Sequence, residues 1–140
     1  MQFSDQKEKI IFHINVEIFT FNDCYTRLKV SEDKVALECF LLHARNLVDF
    51  FNTTTRVKQS KGRADDVIAE EIIGRSIDII LPGDTKDRIN KQLQHISYNR
   101  LSSKQRSLFE ERSVIYQLVK DGLEKYNSIA SKEYQLNQLA

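Results

Sequence analysis

Proline occurs once in this 140-residue chain and glycine only four times. Tight turns draw on both, since glycine supplies positive φ and proline presets the turn backbone, so a many-hairpin sheet protein is poorly served by this composition. The glycines, at 62, 74, 83 and 122, are scattered and build no phosphate-cradling loop. Cysteine is scarce too. Cys24 and Cys39 lack CxxC spacing and sit in helical patterns, so they are expected as small, buried or half-buried residues in a reducing compartment, with a disulfide as the less favoured alternative. HExxH and zinc-type spacings are absent, and His13, His43 and His95 fall in three different predicted helices, so no metal or other cofactor is expected. Net charge is nearly missing: 21 Lys and Arg against 20 Asp and Glu leave +1. That removes any global electrostatic argument for nucleic acid or membrane and leaves only local patches. No apolar run reaches the ~18 residues of a membrane span. The opening MQFSDQKEKI lacks the apolar core of a secretory signal. A cytoplasmic chain with no membrane partner is the expectation.

What the chain does have is long helical periodicity. At 41% hydrophobic and 29% charged it has the composition of a globular protein. A chain of this length buries roughly two thirds of its unfolded surface, enough for a single domain over residues 1–140. The most apolar stretch is Cys39–Phe51, CFLLHARNLVDFF, with nine apolar residues in thirteen and neither glycine nor proline. It predicts a buried helix. His43, Arg45, Asn46 and Asp49 interrupt it, and inside such a helix they must find partners or face a cleft.

Around that stretch, residues 4–28 predict a first helix, capped by Ser4 or Asp5, with Ile10, Ile11, Ile14, Ile18, Phe21, Tyr25 and Leu28 following helical spacing with small drifts. The second runs to about Phe51 from a Ser31 cap, with Val30 and Val35 as a hydrophobic staple and an Arg45–Asp49 pair along its side. Residues 52–64 read as a loop carrying Arg56, Lys58, Lys61 and Arg63 and no acid. It is either a phosphate-binding arm or a solvated loop partly neutralised by the acidic segment that follows. DDVIAEEII predicts a short helix ended by Gly74. RSIDIIL, residues 75–81, fits either a helical turn or an extended connection. A third main helix is expected from an Asp84 cap to about Arg100, and a long last one after a Ser102/Gln105 capping box, with Gly122 inside it marking a close contact or a bend. The tail SKEYQLNQLA is expected to fray. The predicted fold is all-α: an antiparallel four-helix bundle with a short extra helix between the second and third main helices.

The chemistry-bearing pattern lies in DRINKQLQHISYNR, residues 87–100. Arg88 and His95 are seven apart, two helical turns, so they project from one side with Gln92 and Asn99, and with Lys91 and Tyr98 beside them. An arginine can neutralise a phosphodiester and a histidine can move its proton without metal. The local alternative is that Arg88 is satisfied by Asp84, four residues before it.

Arg88, six intervening residues and His95, with Asn90 close behind the arginine, resemble the R-x(4–6)-H motif of HEPN domains. The stretches FLLHARNLVDFF, DDVIAE and INKQLQHISYNR also resemble a family of uncharacterised bacterial proteins, over roughly residues 30–105. HEPN domains are small all-α bundles of prokaryotic toxin and defence systems. Many are metal-independent ribonucleases whose motifs meet across a homodimer, and others are non-catalytic binding modules. The resemblance implies His95 as general acid or base, Arg88 as phosphate ligand, Asn90 and Tyr98 as further RNA contacts, and RNA and a second copy as partners. Two alternatives stand beside it. One is a helical module that binds protein through apolar faces. The other is a small-ligand bundle built on a polar cluster of His43, Arg45 and Asn46, facing His95 and Asn99 and opening on a pocket at Phe40.

Overall fold

The computed structural model describes residues 6–63, 65–94 and 108–139. The chain is all-helical, with no strand among the described residues. Its elements are α1 (Lys7–Leu28), α2 (Lys34–Asn52), α3 (Thr55–Ser60), α4 (Ala69–Ile73), α5 (Thr85–Gln94), α6 (Arg112–Ile129) and a 3₁₀ turn (Lys132–Tyr134). The expected Ser4 or Asp5 cap and the Ser102/Gln105 capping box lie outside the described residues, as does the predicted continuation of α5 to Arg100.

Helix α2 is the element the others pack on: it touches α1, α4, α5 and α6. Phe40, Leu41, Ala44, Leu47, Val48 and Phe51 are all buried, which accounts for its nearly continuous apolar sequence. Helix α1 forms despite its β-branched content because Ile14, Ile18, Phe21, Cys24 and Leu28 make one buried stripe at helical spacing. Phe21 stacks on Phe40, with ring centroids 4.8 Å apart, while Glu17 bonds Asn46. Partners therefore descend along α2 as they ascend along α1, and the two helices run in opposite directions. Tyr116 of α6 joins them, stacking on Phe21 and Tyr25 and donating its hydroxyl to Asn22 Oδ1 at 2.8 Å.

Several boundaries differ from the sequence expectation. The cap of α2 is Asp33, not Ser31. Its Oδ1 accepts from the amides of Val35 (2.9 Å) and Ala36 (3.2 Å), so one carboxylate satisfies two orphan donors and also suits the helix dipole. With the start shifted, Val30 and Val35 are 85% and 79% exposed and form no staple. The segment after α2 is not simply a loop. Thr54 accepts from the Val57 amide and starts α3, and Lys58 is buried, donating to Asp66 O at 2.6 Å and pairing with Glu71. One of the four basic residues is thus spent on joining α3 to the acidic segment, and two short helices, not one, lie between α2 and α5.

Residues 75–81 resolve as a non-helical connection. Ile77 donates its amide to Phe51 O, and the Asn52 side chain brackets the Ile79 backbone, donating to its carbonyl and accepting from its amide. Ile77 and Ile79 are thereby pressed into the core beside α6. A Cβ on Gly122 would lie 2.5 Å from Ile79 Cδ1, so the glycine marks a close contact. Residues 131–139 of the tail are seated on the fold. Asn127 brackets Leu136 in the same two-bond manner, Tyr126 donates to Tyr134 O, and Leu136 and Leu139 are buried.

Candidate functional site

The polar residues inside α2 must be met by another element, and α1 supplies it through Glu17. Its Oε1 accepts from Asn46 Nδ2 at 2.7 Å, and its Oε2 is hydrogen-bonded to His43 Nδ1. His43 and Asn46 are three residues apart and share one face of α2. All three side chains are half-buried. A carboxylate held by two donors from the facing helix also fixes register, because a one-residue slip along α1 would bring Ile18 or Val16 to that place.

Beside this triad a cleft of about 280 Å³ opens between α1 and α2. Its apolar wall comes from Ile10 and Ile14 of α1, Leu47 and Phe50 of α2, and Val67 just before α4. Glu17, Asn46 and His13 supply its polar lining. Apolar walls with a few convergent polar groups are the usual make-up of a small-molecule site. A carboxylate offers about four lone-pair positions, and His43 and Asn46 occupy two. What remains can accept from a hydrogen-bond donor or a cation seated in the cleft.

The other predicted residues are placed elsewhere. Arg88 sits among carboxylates: Nε donates to Asp84 Oδ1 at 2.8 Å and Nη2 to Glu111 Oε1 at 2.9 Å. Nη1 lies 2.7 Å from Glu111 Oε2, an ion pair whose angles fall short of a hydrogen bond. The Arg88 side chain is 14% exposed. The hydrogen bond from Arg88 holds the Glu111 carboxyl below its ordinary range, against the opposing effect of burial and with help from Thr85. The local satisfaction of Arg88 by Asp84 is therefore present, and Glu111 is added from 23 residues downstream. Asn90 is half-buried on α5 and Arg45 half-buried on α2. Asp49 is paired with Lys86 of α5 at 3.4 Å. His95, Tyr98 and Asn99 lie outside the described residues.

The structure thus brings His43 and Asn46 together and adds Glu17 and His13, which the sequence reading did not select. The cleft passes Phe50, not Phe40. A signal for Glu17 did exist: it is the only acid in the run IIFHINVEIFTF, one residue before a stripe position. A second, smaller hollow of about 160 Å³ carries Lys61, Arg63 and Lys86 together with Thr53, Thr54 and Asp49, the partner of Lys86. The two cysteines are free; Cys24 is buried and Cys39 half-buried. Among the described residues no helix is long and apolar enough to cross a membrane, and no three His, Cys, Asp or Glu side chains gather as a metal site.

No family model matches this chain, and neither the curated proteins nor the solved structures compared with it include a significant match.

Proposed function

We propose that this chain is a non-catalytic helical binding module, with α1, α2, α5 and α6 as an antiparallel four-helix frame. Its cleft between α1 and α2 receives a small amphipathic molecule that has an apolar body and a cationic or donor head. The observation that carries this reading is the cleft itself, an apolar cavity with one carboxylate, Glu17, already oriented by His43 and Asn46. A preorganised carboxylate gains most from a charged donor because nothing has to reorder when it binds. Benzene occupies a cavity of about 150 Å³, so the fitting ligands are somewhat larger: aryl or short alkyl amines. Calorimetric titration of such amines against alcohols of the same carbon skeleton tests it. The amine should bind more tightly, Glu17→Gln should remove the difference, and Val67→Trp, at the rim, should abolish binding of both. Saturable binding that survives Val67→Trp, or no preference for the amine, overturns it.

A second reading, RNA binding of the kind the HEPN resemblance implies, draws on the hollow with Lys61, Arg63 and Lys86. The engagement of Arg88 with Glu111 and Asp84 makes that arginine a positioning group for α5 more readily than a phosphate ligand. Anisotropy titration with single-stranded RNA tests this reading: affinity should fall steeply with salt, and Lys61→Ala with Arg63→Ala should flatten that dependence. Cleavage in EDTA, lost in both Arg88→Ala and His95→Ala, would extend the reading to catalysis.

A further inference from the structure

Helix α1 carries a second apolar stripe that the described residues leave uncovered. Phe12, Val16 and Phe19 are spaced by four and three residues, so they lie on one line along the helix. Phe12 is 63%, Val16 45% and Phe19 71% exposed. The core does not need them, because the opposite side of α1 already supplies Ile14, Ile18, Phe21 and Leu28. Two large exposed phenylalanines on one rigid helix face mark an interaction surface.

The charges at its two ends say which partner fits. Lys9 lies seven residues before Val16 and Asp23 seven after, so both continue the same stripe at two-turn spacing. Asp23 is only loosely held, by an exposed i,i+4 ion pair with Arg27 at 3.2 Å. A second α1 laid antiparallel on the first, with a two-fold axis at Val16, puts Phe12 against the partner's Phe19 and Val16 against the partner's Val16. It also puts Lys9 against the partner's Asp23, twice by symmetry. A parallel pairing would instead face lysine with lysine and aspartate with aspartate. A lipid surface fits less well, since membrane-lying helices favour a Lys/Arg-rich polar face and this one mixes Glu8 and Asp23 with its bases.

We propose that the occupant of this face is a second copy of the chain, joined by antiparallel α1–α1 pairing centred on Val16. The contact goes beyond the cleft reading and is independent of it. Because one helix face is at the small end of protein interfaces, the dimer is a weak one that forms with rising concentration.

Sedimentation velocity of the full chain over a concentration series tests it, with circular dichroism as the check that each variant folds. Wild type should shift from monomer to dimer. Val16→Lys, which sets like charges together on the axis, should remain monomeric. Lys9→Glu and Asp23→Lys should each weaken association by about threefold to tenfold at low salt, and the double swap should restore it, as only antiparallel pairing allows. A wild type that stays monomeric throughout, or a dimer indifferent to Val16→Lys, overturns the proposal. Failure of the double swap to restore association overturns the antiparallel register. Binding of monomeric wild type to anionic vesicles, lost in Val16→Lys, would give the face to lipid instead.

Discussion

Single side chains in this molecule divide into those that join elements and those that wait for a partner. Arg88 and Glu111 belong to the first kind. Because Glu111 is held below its ordinary range in the folded chain, the unfolded chain takes up its proton first as pH falls. Its contribution to stability is therefore complete above about pH 5 and lost as pH drops through the lower, folded value. Urea midpoints measured from pH 7 to pH 3 should fall for wild type and fall less for Glu111→Gln. Cys24 offers a second test. Burial, then the neighbouring Cys39 thiol, push its thiol up to about 12, so the reactive thiolate is scarce near neutrality. In native protein at pH 8, iodoacetamide should leave Cys24 unmodified as read by mass spectrometry, and urea should release it. Arg88 also shows why single residues were only half legible. Asp84 stands one helical turn away and is visible in sequence, whereas Glu111 reaches the same guanidinium only because α5 and the start of α6 are folded together.

Elements here are fastened by side chains that grip another segment's backbone. Asn52 holds Ile79, and Asn127 holds Leu136, each by one donated and one accepted bond. Asn127→Ala should detach the tail while leaving α6 intact. Hydrogen exchange should then rise at Leu136 and its neighbours, with global stability lowered by about 1–3 kcal/mol. Gly122 serves the same segment 77–79 from the other side. Gly122→Ala gains about 1 kcal/mol of helix propensity, but overpacking against Ile79 costs about 1–3 kcal/mol. The net expectation is a loss, and Ile79→Val, which lacks Cδ1, should recover part of it in a double-mutant cycle by chemical denaturation. Periodicity made α1, α2 and α6 legible because burial selects a stripe. It said nothing of α3, whose start depends on Thr54 capping Val57 and whose inner residue is a lysine. Nor did it reveal the seated tail, whose polar composition looks like solvent-exposed chain.

For the whole molecule, one buried cluster runs from Ile14 to Leu139 through every long helix. Unfolding should therefore be a single cooperative event: urea transitions followed by far-ultraviolet circular dichroism and by tyrosine fluorescence should coincide, whereas separated midpoints would divide the chain into independent units. The sequence by itself determined that the chain is helical, that Cys39–Phe51 is its buried axis, and that Gly74 marks a helix end, while the choice between a close contact and a bend at Gly122 fell to the tertiary structure. Those properties follow from local preferences and from the area each stripe must remove from water. Only the tertiary structure decided which helix answers the polar residues of that axis. Glu17 meets Asn46 across 29 residues of chain, and the cleft beside them exists because α1 and α2 are held at that register. A contact between residues so far apart leaves no periodic trace, since its energy depends on the geometry of two packed surfaces and not on the pattern of either one.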